Sequence, residues 1–271
     1  MFLIAIFVFC LGLIIGSFLN VVIFRYNTGR GVVTGRSACM TCGKPLVWYE
    51  LVPLLSFVLQ KGMCRHCRAK LSWQYPLVEL STSLVFVALF FHFSSLIQTL
   101  TPVLLLEAVL AVVAWCLLIV IGVYDLRHKI IPNGAVYTFA VLGLIRVLIF
   151  VPVQPLNIFI FTLLAGPILF LPFYLLWLVS DGRWLGLGDG KLALGIGWML
   201  GLGLGVSAVF MAFWIGALVS IFLLAFGQLK RKGLKLTMKS EIPFAPYLIL
   251  GFALAYFFAF DVASLHSVFG I

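Results

Sequence analysis

Leu117-Leu-Ile-Val-Ile-Gly-Val-Tyr-Asp125-Leu-Arg-His-Lys129-Ile-Ile-Pro-Asn133 is the end of an apolar run that meets an acid and then a cluster of bases within about one helical turn. The run begins near residue 102, so it can cross about 30 Å of hydrocarbon as a helix before Asp125 is reached. Pro132 suits the first turn of a following helix, and another apolar run occupies roughly 133–151. Further runs lie at about 2–24, 77–93, 157–179, 190–204, 206–227 and 243–261, the sixth and seventh spans being divided only by Gly201-Leu-Gly-Leu-Gly205. Hydrocarbon offers no partner to an unpaired N–H or C=O, so such runs have to cross as helices. The composition agrees: 64% of the 271 residues are hydrophobic and 10% are charged, and the mean hydropathy is +1.22, which excludes an ordinary soluble domain. The expected fold is an α-helical polytopic membrane protein with about eight transmembrane helices in a lipid bilayer. The first run has neither a basic start nor a small-residue cleavage site and reads as a retained span.

A net charge of +10 raises the question of a nucleic-acid partner, but the placement of the bases answers it differently. Eight of the eighteen Lys and Arg residues lie between Arg25 and Lys70 and five between Lys230 and Lys239, whereas 94–101, 152–156 and 262–271 contain none. This is the asymmetry of a multi-pass membrane protein whose basic loops stay in the cytoplasm. It puts the termini outside and the turns near 125–132 and 181–190 inside. The domain organisation read from this is a first transmembrane helix at 1–24, a small cytoplasmic insert at 25–76 and a membrane-embedded helical bundle at 77–271.

The insert carries Cys39-Met-Thr-Cys42 and Cys64-Arg-His-Cys67, separated by 21 residues, with Gly43-Lys44 and Arg68 in position for tight turns. Two CxxC pairs at that spacing predict a zinc ribbon, in which two knuckles deliver four thiolates to a tetrahedral metal. A reducing compartment disfavours the competing reading as two disulfides. Four thiolates close the coordination shell, so Cys39, Cys42, Cys64 and Cys67 predict a structural zinc and leave His66 no vacancy. Cys10 and Cys116 sit inside apolar spans and read as packing residues.

Only eight acidic residues occur, and carboxylates near hydrocarbon are expensive enough to point to function. Asp125 closes the third span, and Asp189 opens the sixth in Gly186-Leu-Gly188-Asp189-Gly190-Lys191. The topology brings both to one membrane face. Two carboxylates a few ångströms apart cannot easily both ionise, so they share a proton, one acting as base on a water and the other as acid on a carbonyl. The competing readings are an interfacial Asp125 paired with Arg127, His128 or Lys129, and an Asp189 that caps a turn beside Lys191. Ser17 and Asn20 either line a groove or bond a neighbouring helix, while Gly12 and Gly16 read as packing positions.

In these motifs and their order the chain closely resembles the bifunctional type IV prepilin peptidases, leader peptidase and N-methyltransferase enzymes of pilus and type II secretion systems. The likeness rests on Gly16-Ser-Phe-Leu-Asn-Val-Val-Ile-Phe-Arg25, the two CxxC pairs, Trp48-Tyr49-Glu50 before Pro53-Leu-Leu-Ser56, Tyr75-Pro-Leu-Val-Glu79, the 125–133 segment and the GxGD-type motif at Gly186 to Asp189. The resemblance implies that Asp125 and Asp189 are the catalytic pair of an aspartyl protease. It implies cleavage of the basic leader of prepilin or pseudopilin substrates after glycine, then S-adenosyl-L-methionine-dependent methylation of the new N-terminus. No strand leading into GxGxxG marks a soluble methyltransferase fold, and Glu50 and Glu79 are the candidates for cofactor binding, with surface charges or helix caps as their competing reading. Another GxGD intramembrane protease without methyl transfer, or a transporter or scaffold using the aspartates as an ion site, are the alternatives. The topology has a direct check: in a background without native cysteines, a single cysteine at position 61 should be labelled only from the cytoplasm, and labelling from outside would overturn the orientation.

Overall fold

The computed structural model describes residues 1–29, 31–94, 101–151, 155–230 and 243–260. The basic segment after Lys230 and the 262–271 segment lie outside the described residues. Eight apolar helices fall where the apolar runs predict them: α1 (Phe2–Arg25), α3 (Gln74–Ser94), α4 (Pro102–His128), α5 (Asn133–Phe150), α6 (Leu156–Ser180), α7 (Leu187–Leu200), α8 (Leu202–Lys230) and α9 (Ala245–Phe258). A five-residue helix, α2 (Leu55–Leu59), and a 3-10 turn at Trp48–Glu50 lie in the insert, and among the described residues there is no strand. Six helices, α1, α3, α4, α5, α6 and α8, are long and apolar enough to cross a membrane. The chain is a multi-pass membrane protein. Helices α7 and α9 have 14 residues each, about 21 Å of helix and short of a full crossing.

The chain divides into two compact units, Met1–Val120 and Ile121–Ile271. In the first, α1 packs against α3 through Gly12 and Gly16. A Cβ at Gly16 would come within 2.7 Å of the Glu79 Cα, and one at Gly12 within 2.5 Å of the Ser83 Cα, so both act as the small residues of a close helix crossing. At the end of this crossing the buried Asn20 amide donates to the Tyr75 carbonyl at 3.2 Å and accepts from Gln74 at 3.4 Å. Phe24 stacks on Tyr75 with ring centroids 5.0 Å apart. Asn20 therefore bonds a neighbouring helix.

In the second unit α7 is the central element, packing against α5, α6, α8 and α9. Its Leu192, Ala193 and Ile196 are fully buried. Two polar ties hold it. Near its start Lys191 donates to Asn133 Oδ1 at 2.9 Å and lies over the Tyr137 ring, fixing α7 to α5. Near its end the Trp198 indole donates to the Leu163 carbonyl at 2.9 Å. That carbonyl is the one left without its helical donor by Pro167, four residues on within α6, so the indole meets an acceptor created by the proline. Gly201, at φ +79°, then separates α7 from α8 with a single residue, a conformation that side chains with a Cβ rarely adopt.

Trp198→Phe should therefore leave the Leu163 carbonyl unpaired, at about 1–3 kcal/mol, and lower the apparent melting midpoint in detergent by several degrees. An unchanged midpoint would show that this bond does not hold α7.

Candidate active site and metal centre

Asp125 lies in the last turn of α4 and Asp189 in the first turn of α7. Both are buried, with 4% and 8% of their surface exposed. Asp125 Oδ2 accepts a hydrogen bond from the Ala245 backbone N–H at 3.2 Å. Ala245 is the first residue of α9, with Phe244 as its N-cap. Its N–H has no partner within its own helix, and it points along the positive end of the α9 dipole, so it is suited to an anion. Asp189 follows the N-cap Gly186, whose carbonyl accepts the Asp189 N–H at 3.2 Å. It too sits where a helix end favours negative charge.

The glycines around Asp189 make room for this approach. A Cβ at Gly188 would come within 2.9 Å of Ile131, in the turn after α4, and one at Gly190 within 3.0 Å of Phe173 on α6. The first turn of α7 can thus press between the two while its carboxylate stays within Coulombic reach of Asp125. Two of the bases offered by the sequence as partners are engaged elsewhere: Lys191 binds Asn133, and His128 bonds the Tyr124 carbonyl and packs on its ring. Ala245, which ties down Asp125, carries no side-chain signal that sequence reading could have caught. Pro246 in the first turn of α9 is the only local hint that a helix begins there.

The four insert cysteines are free and gather as one cluster, their sulfurs all within 4.8 Å of one another and Cys39 Sγ 3.9 Å from Cys67 Sγ. A tetrahedral zinc with Zn–S bonds of about 2.3 Å would space its sulfurs by about 3.8 Å, so this donor set fits the ion. The two halves are built alike. In one, Cys39 N–H donates to Lys44 O and Gly43 N–H to Cys39 O; in the other, Cys64 N–H donates to Ala69 O and Arg68 N–H to Cys64 O. Gly43 and Arg68 take matching positive φ values of 70° and 55°. The backbone amides of Cys42 and Thr41 hold the Cys39 thiol down to about 6 against its burial. The Ala69 amide pulls Cys67 the same way, but burial and the neighbouring sulfurs outweigh it and push that thiol up to about 11. His66 Nδ1 lies 3.4 Å from Lys44 Nζ, outside the sulfur set. Of the remaining cysteines, Cys116 is half-buried in α4, but Cys10 is exposed on α1, so the packing reading fails for Cys10.

Glu50 and Glu79 are both buried in the first unit. Glu79 Oε2 accepts from the Leu54 N–H at 2.8 Å and Glu79 also bonds the Ser17 side chain, joining α3 to the insert and to α1. Leu54 itself is turned to φ 57°, with the Leu55 N–H bonded to the Pro53 carbonyl, a tight and strained three-residue turn. Glu50 Oε2 accepts from the Val47 N–H at 3.0 Å and closes the 3-10 turn, while its buried Oε1 has no partner among the described residues.

Two buried aspartates at helix ends of one unit, in a multi-pass chain that also carries a four-cysteine knuckle module, are what a membrane protein of the aspartyl-protease class would need. Residues 10–93 match the Bacterial Peptidase A24 N-terminal domain, and residues 112–221 match the Type IV leader peptidase family. The chain is 32% identical over 259 residues to a prepilin leader peptidase/N-methyltransferase of Bacillus subtilis (strain 168), covering 95% of this chain and 96% of that protein. Proteins of the same name from Myxococcus xanthus and Pseudomonas aeruginosa are 35% and 28% identical, over 81% and 90% of this chain and 63% and 88% of their own lengths. No solved structure matches. This chain belongs to the type IV leader peptidase family.

If the knuckles hold zinc, the purified protein should contain one ion per chain. Replacing Cys39 and Cys42 by Ser should remove it and make residues 30–70 sensitive to added protease. Zinc content unchanged in that double variant would refute the assignment.

Proposed function

We propose that this chain is an aspartyl endopeptidase of the bacterial inner membrane that cuts the short basic leader of type IV prepilins or pseudopilins after glycine, at the cytoplasmic face, and then methylates the new N-terminus. The observation that carries the reading is the burial of two carboxylates, Asp125 and Asp189, at the ends of α4 and α7 within one unit. In the division proposed, residues 1–24 are the first transmembrane helix, 25–76 the metal-binding insert and 77–271 the proteolytic bundle.

The peptidase chemistry follows from that pair. One oxygen of Asp125 is tied to the Ala245 amide, which fixes the carboxyl group and leaves its other oxygen to hold a water. A proton shared with Asp189 lets one carboxyl take a proton from the attacking water while the other gives one to the scissile carbonyl oxygen. Gly188 and Gly190 serve the site by letting Ile131 and Phe173 pack against the turn that carries Asp189.

For methylation, S-adenosylmethionine would supply an electrophilic methyl group carried on a sulfonium. The orphaned Glu50 Oε1, an acceptor buried without a donor, fits the ammonium of such a cofactor. Glu79 is proposed as the second acceptor, through the oxygen not engaged by Leu54. The zinc would act by holding the insert that presents Glu50, and no step of hydrolysis needs it.

Asp125→Asn and Asp189→Asn should each abolish prepilin cleavage without loss of folded protein, because an amide cannot exchange the proton. Given an already cleaved pilin, the Asp189→Asn enzyme should still add one methyl group, a gain of one methylene by mass spectrometry, whereas Glu50→Gln should lower methylation more than cleavage. Substantial cleavage by either asparagine variant would sink the dyad, and unmethylated product from the wild type with saturating S-adenosylmethionine would leave a peptidase alone.

A further inference from the structure

Away from the carboxylates and the thiolates, the first unit contains a groove of about 550 Å³ between the insert and the start of α3. Its walls are apolar, with Phe57, Met63, Leu71 and Trp73 among them, and two cations, Lys61 and Lys70, stand on its lining. Phe57 and Trp73 pack together with centroids 5.1 Å apart. Neither lysine's ammonium meets a carboxylate or other hydrogen-bond acceptor among the described residues. The apolar surface continues outward over α2, where Leu55, Val58 and Leu59 are 55%, 69% and 65% exposed, and onto Trp73 at 69%.

The groove has the size of a small-molecule site, but its chemistry selects the occupant. A ligand with an apolar body and an anionic head satisfies both the walls and the lysines. The sulfonium and ammonium of S-adenosylmethionine would face like charges here, as would a basic leader peptide. The location narrows the choice. Trp73 immediately precedes α3, a helix long and apolar enough to cross the membrane, and a tryptophan at the end of a span is suited to headgroup level. At that depth the available anionic amphiphile is a phospholipid, and pairs of lysines near a membrane surface favour such lipids.

We propose that this groove binds one anionic phospholipid, its phosphate between Lys61 and Lys70 and an acyl chain along Phe57, Leu71 and Trp73, so that the strained insert is seated on the bilayer by a specific lipid. Native mass spectrometry of the purified, zinc-containing protein, titrated with phosphatidylglycerol or phosphatidylcholine of the same acyl chains, tests this. The wild type should hold phosphatidylglycerol about thirtyfold more tightly. The Lys61→Gln/Lys70→Gln variant should bring the two lipids within about twofold of each other at unchanged zinc content, while Arg36→Gln/Lys44→Gln, which removes two charges elsewhere on the insert, should keep the preference. Should the first double variant lose its zinc, the single substitutions carry the test, each with a loss of about fivefold. Equal retention of both lipids by the wild type would overturn the proposal, as would a control variant that loses the preference equally. Displacement of phosphatidylglycerol by S-adenosylmethionine would also overturn it and give the groove to the methyl donor.

Discussion

A carboxylate taken out of water and into an apolar helix bundle must find a substitute for its hydration, and a side chain with no such substitute would be strongly destabilising. For Asp125 the substitute is a backbone amide. Ala245 N–H is free because it begins α9, and it reaches the carboxylate because the α9 N-terminus lies against the last turn of α4. Much of the second unit serves that placement. Helix α9 packs on α8 so closely that a side chain at Gly251 would run into the Ala208 carbonyl. Helix α7, held by α5 through Lys191 and by α6 through Trp198, carries Asp189 to the same place. The two acids are thus consequences of helix ends, where unpaired amides and dipoles make burial of charge tolerable.

The same economy governs the first unit. Glu79 and Asn20 are buried polar residues on apolar helices, and each is satisfied by backbone of the insert or of its boundary with α3. The insert has little apolar core of its own, and two short β-bridges, Ala38 to Pro45 and Met63 to Lys70, are its only sheet-like pairing among the described residues. Its order comes from the knuckles, from Arg25 donating to the carbonyls of Gly31, Thr34 and Arg36, and from Glu79 gripping the strained Leu54 turn. A metal at the four sulfurs would close this arrangement, since coordination energy is folding energy in so small a module.

Much of this was legible beforehand, and the limits are physical. Apolar run length reports helices well, so eight apolar helices lie where hydropathy puts them, even α7 and α8, parted by Gly201 alone, although α7 and α9 are shorter than a span needs. CxxC spacing is specific because few backbones place four thiols together, and the cluster at Cys39, Cys42, Cys64 and Cys67 follows it. Rare acids in apolar surroundings drew attention to Asp125 and Asp189 for the reason that they are costly there. The supports of those residues were invisible. Ala245 N–H and Leu54 N–H are main-chain donors that every residue but proline possesses, and their use depends on tertiary placement alone. The Lys191 to Asn133 bond was hidden because Lys191 looked like a partner for Asp189, its neighbour in sequence. Trp198 could be connected to Pro167 only once α6 and α7 were seen side by side.

The central claim is that Asp125 and Asp189 act as one proton-sharing unit on a water molecule. Its most direct measurement is the pH dependence of prepilin cleavage by the wild-type enzyme in a fixed lipid environment, with folding and zinc content checked at each pH. A unit that must carry one proton between two carboxyls predicts a bell-shaped kcat/KM profile with two limbs, each belonging to the pair and not to either residue. A profile with no acidic limb, in which cleavage persists when both carboxyls are protonated, would contradict the account.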